Sequence, residues 1–417
     1  MPTRAPEPEA PTRADIHAPV PRRVLIALCA TQITSWGVLF YALPVLLGDL
    51  TADTGWSTAA VMGAFSAGLA ASALAGIAVG HVLDRRGPRL VMTAGSALAA
   101  VALVGVATAP NLWTFTAAWI LAGIAQAAVL YKPAFAAITT WYGPERVKAL
   151  TVLTLAGGLA STVYAPFTAY LAEHFDWRGV YLVLAAILAV LTIPAHAIAL
   201  NPPWPQTPTE TSGNGTAPAL NRRQIITSPT FIALAAAIAL AAFAMSTSNL
   251  YLVPLMTGRG TDTATAAWVL GICGAGQLLG RIAYAPIAIR TGPTVRAVAI
   301  LAIGAATTLA TALIAGPLGL VFATVILLGA ARGAFTLLDA TAITDRWGPN
   351  GYGTLHGILS APATVAIALS PWAGAHLTAW TGGTPQMFTL LAAVIALAAA
   401  IILVERMAKG PLGNRHS

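Results

Sequence analysis

A chain of 417 residues has the length of two or three soluble domains, yet 57% hydrophobic and 9% charged residues do not make a water-exposed surface. The formal net charge of +8 sits in tails and short segments between apolar runs, with no basic patch interleaved with aromatics, so no nucleic acid is expected as a partner. Cys29 and Cys273 both fall inside apolar runs and form no disulfide framework.

After a Pro-rich tail at 1–21, twelve apolar runs can be marked, at 24–47, 57–80, 90–109, 112–141, 150–171, 179–200, 230–256, 265–288, 297–315, 318–344, 354–376 and 385–404. Each is close to the ~20 residues that cross a bilayer as a helix. Lipid offers no partner to a backbone N–H or C=O, so runs this continuous predict helices and an all-α membrane protein. The first run is too long for a cleavable signal, lacks a small-residue cleavage site, and is expected to stay. With the N-terminus in the cytoplasm, most of the 22 Lys and Arg lie on that side and only Arg178 and Arg259 lie opposite. The positive-inside rule then predicts that both termini, 1–21 and 407–417, are cytoplasmic. A basic face of this kind also suits anionic lipid, making the bilayer itself a partner.

Residues 201–228 are polar and rich in Pro, Gly, Ser and Thr, the composition of a cytoplasmic linker, and they divide the chain into six-helix bundles at 22–200 and 229–406. Several marks recur 205 residues apart: Gly87-Pro88 with Gly292-Pro293, Gly143-Pro144 with Gly348-Pro349, and Pro166 with Pro371. The best match pairs AITTWYGP (137–144) with AITDRWGP (342–349), so the fourth and tenth runs are expected to be structural equivalents in a duplicated unit.

The segment from Gly80 to Arg89, GHVLDRRGPR, resembles the G-x-x-x-D-R-x-G-x-[RK] signature of the major facilitator superfamily. Asp176-Trp177-Arg178 resembles a second mark of that superfamily, and the resemblance covers 22–406. It implies two pseudo-symmetric six-helix bundles, a monomer without cofactor, and secondary transport by alternating access. Gly80, Asp84, Arg85, Arg86, Gly87 and Arg89 would form a cytoplasmic latch between conformations. Gly80 permits close helix approach and Gly87 a sharp reversal. The second copy, AIRTGPTVR (288–296), has Ile289 where Asp84 stands, so the latch is expected to be asymmetric.

Four charged residues lie well inside spans: Lys132, Arg281, Arg332 and Asp339. Each costs at least ~2.5–3.5 kcal/mol at a helix centre by insertion scales, so each should face a cavity or a partner. Lys132 is about 13 Å from the inner end of its helix, too deep for easy snorkelling. Arg332 and Asp339 share a face two turns apart, as Gln277 and Arg281 do one turn apart. The 205 spacing places Lys132 and Asp339 at nearly the same depth on equivalent helices, which predicts a charge pair that opens or reforms as the halves rock. A permanent packing pair is the plainer alternative.

Arg281 resembles the helix 8 arginine of the monocarboxylate transporters and their oxalate/formate antiporter relatives, which meets the substrate carboxylate. Those proteins usually carry an acid four residues earlier, where Gln277 stands here. Gln277 cannot titrate, so a coupled proton would fall to Asp339, the only carboxylate embedded in a predicted span. The bacterial branch of this family shares TSWGVLFYALPVLL (34–47) and DTGWS (53–57), and tends to carry an acid in place of Lys132 and a base in place of Asp339. The pair would here have reversed polarity.

Three positive groups against one negative in a low-dielectric cavity favour an anion, and a guanidinium fork suits a carboxylate. Tyr41, Tyr131, Asn249 and Tyr251, with Gln32 and Gln126, are neutral candidates around it, each also explicable as helix packing. No phosphate-binding loop, zinc motif or nucleophile elbow occurs; Gly274, Gly276 and Gly280 read as helix packing, and the seven histidines look scattered. An enzyme is not expected. The expected function is transport of a small organic anion, a monocarboxylate, across a bacterial inner membrane, with possible proton coupling. Drug or metabolite efflux on the same fold is the alternative, and a non-transporting receptor the third.

Overall fold

The helices begin and end where local chemistry dictates. This computed structural model describes residues 22–142, 145–204, 222–348 and 352–408, and all regular structure among them is helical. Eleven helices are long and apolar enough to span a bilayer, and one of them, Thr58–Thr108, runs for 51 residues. Gly87 breaks it, because its φ of 74° lies in the left-handed region that favours glycine, and Pro88 opens the next segment with no N–H to satisfy.

Twelve spans result: α1 (Arg22–Thr54), α2 (58–86), α3 (88–108), α4 (Leu112–Trp141), α5 (Lys148–Ala172), α6 (Trp177–Ala199), α7 (Pro229–Leu250), α8 (Thr263–Arg290), α9 (Pro293–Leu313), α10 (Leu318–Thr341), α11 (Tyr352–Thr381) and α12 (Thr384–Ala408). The predicted first span ends short, since α1 continues to Thr54. Gly55, at φ 69°, caps it in the left-handed conformation. The predicted seventh span is interrupted at Tyr251 and resumes as Leu252–Thr257. Of the linker, 205–221 lie outside the described residues, and its end contains a helical turn, Arg222–Ile226.

Packing repeats with an offset of six helices. In the first half α2 packs on α4, α3 on α6, and α1 on both α5 and α6; in the second, α8 packs on α10, α9 on α12, and α7 on both α11 and α12. The 205-residue sequence spacing thus has its counterpart in contact geometry.

Arg178 and Arg259, the basic residues on the face opposite the linker, come from positions that the repeat does not relate, yet they serve the ends of two helices, α3 and α9, that it does. Arg178 donates to the carbonyls of Ala107 and Ala109 at 2.9 and 3.0 Å, at the end of α3. Arg259 donates to the carbonyls of Thr311, Ala312 and Ile314 at the end of α9. Each satisfies carbonyls that a helix C-terminus leaves without partners, which explains their departure from the charge rule.

The halves meet across α2–α11, α5–α8 and α1 with Leu252–Thr257. Ser66 Oγ accepts the Trp372 N–H at 3.0 Å, and Thr162 Oγ1 donates to the Gly271 carbonyl at 2.8 Å. Most of these contacts lie toward the face opposite the linker. This state is therefore closed on that far face, with the linker-side ends of the halves apart.

Candidate functional site

Proline sets up the centre of the first half. Pro133 has no N–H, so the carbonyl of Val129, four residues earlier, loses its helical partner. Leu130 accordingly leaves helical geometry at ψ −159°. Gln32 of α1 repairs the loss, donating Nε2 to Val129 O at 2.7 Å. Gln126 returns the contact, donating to the carbonyl of Leu39 at 3.1 Å. Leu39 lies in a π-helical turn, Gly37–Tyr41, whose i+5 donor would be Pro44. Both glutamines thus tie α1 to α4.

The break delivers Tyr131 and Lys132 at the start of a fresh helical segment. Tyr131 stacks on Phe135 with ring centroids 5.1 Å apart and lies 5.2 Å from Trp36. Its hydroxyl reaches across to Gly157 of α5 and stands beside the Arg281 guanidinium. Lys132 is exposed and brings Nζ against Gly76 of α2.

Arg281 owes its place to glycine. A methyl group at Gly276 or Gly280 of α8 would fall on the carbonyls of Ile326 or Ala330, and one at Gly329 or Gly333 of α10 on those of Cys273 or Gln277. These alternating glycines bring two backbones into direct contact, as the sequence predicts for Gly276 and Gly280. With that face of α8 committed to α10, Arg281 projects toward α5, where NH1 donates to the Thr154 carbonyl beside Gly158. Its Nε is buried with no protein acceptor.

Arg332 reaches the region of Cys273 and leaves NH1 buried without a partner. Gln277 is buried with Nε2 unpartnered, and both amide atoms of Asn249 are buried and unpartnered. Tyr41 packs edge-on against Phe40 at 5.2 Å and lies near Tyr131. Tyr251 differs, for its hydroxyl donates to the Pro371 carbonyl at 2.6 Å and its ring fills the space over Gly374, both structural tasks. The structure thus gathers Arg281 and Tyr131, with Tyr41 near them, where the halves meet.

Lys132 and Asp339 are not an ion pair in this state. Among the described residues Asp339 meets His356 of α11, at 3.9 Å, and Arg296 meets Asp345. Neither His356 nor Asp345 stands out in the sequence, because their partners lie on other helices with no shared period. In the segment Gly80–Arg89, nothing stands within 4 Å of where a side chain at Gly80 would begin, so Gly80 makes no close helix approach in this state. Gly87 packs under Trp204, whose Nε1 donates to the Asp84 carbonyl at 3.0 Å, while Arg89 donates to Asn201 at 2.9 Å. Asp84, Arg85 and Arg86 are exposed.

Residues 25–354 match the sequence pattern of the Major Facilitator Superfamily. The chain belongs to this superfamily. A similar curated protein is an uncharacterized 38 kDa protein in the 23S RNA operon of Thermoproteus tenax, 28% identical over 82% of this chain and 84% of its own. Monocarboxylate transporter 13 of Rattus norvegicus is 24% identical over 62% of this chain and 57% of its own. Among solved structures, a bacterial homolog of the human lysosomal transporter Spinster, in an inward-facing and unoccupied conformation, superposes with a TM-score of 0.76 at 16% identity, covering 94% of this chain and 98% of that one. This multi-pass transporter shares its fold.

Proposed function

We propose that this transporter moves a small organic anion, a monocarboxylate, by alternating access, with the linker face in the cytoplasm of a bacterium and protons as the coupled ion. One observation carries the reading. Among the described residues, Arg281, at the meeting of the halves, has no carboxylate within ion-pair distance and a buried Nε without an acceptor. A partly buried guanidinium in lipid-depth protein without an anion is costly, and a substrate carboxylate would relieve that cost. Tyr131 supplies a second donor beside it, and Arg332 adds positive charge on the same half. The similarity to a monocarboxylate transporter supports the same chemistry.

The Arg281 bond to Thr154 joins α8 to α5, so an anion that takes over the guanidinium would also loosen a contact between the halves. Binding and rocking would then be one event. Closure of the linker face would bring Lys132 toward Asp339, and their pairing belongs to that other state. The double exchange Lys132→Asp with Asp339→Lys keeps a permanent packing pair working and abolishes transport if the pair also serves substrate or proton. Gly80 to Arg89 would latch the closed linker face.

Uptake of labelled lactate and pyruvate into proteoliposomes at two pH gradients tests the reading. Arg281→Ala is expected to lower uptake at least about tenfold, the loss of one charge-assisted bond. Absent carboxylate flux, or flux unchanged in Arg281→Ala, would overturn it. A lipophilic cationic dye transported by the same vesicles would favour efflux.

A further inference from the structure

Two aspartates near the linker end of α10 live differently. Asp345, on the short helix Thr344–Trp347, gathers donors as a structural carboxylate does: the Arg296 guanidinium and, at 2.9 Å, the Thr341 hydroxyl. Arg296 is itself held by the carbonyls of Ala288 and Thr291, each at 3.2 Å, and by the Tyr284 ring at 5.3 Å. Asp339 gathers nothing comparable. Its Oδ1 is buried without a partner, and Oδ2 faces His356 Nε2 across 3.9 Å.

Among the described residues, no other ionisable group on the helices around this point comes within ion-pair distance of Asp339. On α8, Arg281 goes to Thr154 and the Tyr284 hydroxyl to Thr341; on α9, Arg296 goes to Asp345. On α10 Arg332 lies by Cys273, and just beyond it Arg346 donates to Ala342. On α7, which packs against α11, the Tyr251 hydroxyl goes to Pro371, and on α12 Glu405 accepts from Thr230. Near the far end of α11, His376 packs on the Trp372 ring at 4.6 Å. Lys132 stands in the opposite half.

A carboxylate fixed for packing would be expected to hold donors on both oxygens, since an ionised oxygen left bare in low dielectric is costly. Asp339 instead has one bare oxygen and one titratable neighbour. The side chains of His356 and Asp339 are 25% and 30% exposed, so neither is sealed inside the fold.

We propose that Asp339 and His356 form the proton-binding pair of this transporter, the α10 carboxylate and the α11 imidazole holding one proton between them. The proposal rests on the proton-coupled reading above and adds a histidine to it. A proton from linker-side water binds at Asp339 Oδ2 or His356 Nε2. It returns to water when rocking presents Lys132 to the carboxylate in its place.

Two measurements decide it. The first needs no substrate: infrared difference spectra of the purified transporter across a pH titration. A neutral carboxylic-acid band that disappears in Asp339→Asn, with a midpoint that moves by about one pH unit in His356→Gln, is expected for coupled sites. A titration identical in wild type and Asp339→Asn, or a midpoint unmoved in His356→Gln, would overturn the pair. The second compares pH-gradient-driven accumulation of labelled lactate with its counterflow in proteoliposomes. The ratio of the two is expected to fall at least about tenfold in both variants, and an unchanged ratio overturns the proposal. Absence of lactate flux from wild-type vesicles would count against the anion reading instead, and the spectra would still decide the pair.

Discussion

At Val129 the missing N–H of Pro133 and the amide of Gln32 are a broken bond and its repair. Replacing Gln32 by Leu leaves the carbonyl bare and is expected to cost about 1–3 kcal/mol, seen as a lower unfolding temperature of the purified protein with KM unchanged. In a Pro133→Ala background the helix regains its own donor, so the same replacement should cost less. Ser370 does the equivalent work in α11, donating to Ile367 at 2.8 Å, four residues before Pro371. Tyr131→Phe belongs to the other class: it removes a donor beside Arg281 and is expected to raise KM about tenfold with the unfolding temperature preserved. The sequence points to Arg281 and Tyr131 through charge and position, but not to the roles of Gln32 and Gln126. A glutamine repairing a proline looks the same in a sequence as one lining a cavity. His356 escaped for a similar reason, since it and Asp339 sit on separate helices and nothing periodic joins them.

Among elements, α8 and α10 form a close pair, because four glycines let each backbone rest on the other's carbonyls. Gly280→Leu is expected to prevent accumulation of folded transporter, as judged by size-exclusion elution, because the nearest obstacle is backbone and cannot move aside. Gly292→Ala, where no atom lies within 4 Å, should be neutral in the same assay. The helices themselves were legible from hydropathy, whereas the breaks at Leu130 and Tyr251 show only when Pro133 and Pro254 are read as bends. Their causes lie in proline geometry and partner helices, which an average over twenty residues conceals.

For the whole molecule, the duplication legible at a spacing of 205 residues reappears as matched helix pairings in the two halves. Which face is closed was not legible, because alternating access requires one sequence to support both arrangements with a small difference in free energy. On the proposed alternating-access reading, contacts such as Ser66 with Trp372 would break in each cycle. Cysteines placed at Ser66 and Trp372, in a background with Cys29 and Cys273 replaced by Ala, are expected to cross-link under mild oxidation and arrest transport. Reduction should restore it, and transport undiminished after full cross-linking would show that this seam does not open.

The glycine seam also governs how the protein tolerates extraction from its membrane. Glycine within a helix is about 1 kcal/mol worse than alanine in water, where solvent competes for each exposed peptide group. Hydrocarbon removes that competitor, so a seam of bare backbone is secure only while it stays dry. Short-chain detergents that wet the α8–α10 contact should therefore erode the footing of Arg281 before the rest of the bundle unravels, and a solubilised sample could retain its helicity while losing its ligand.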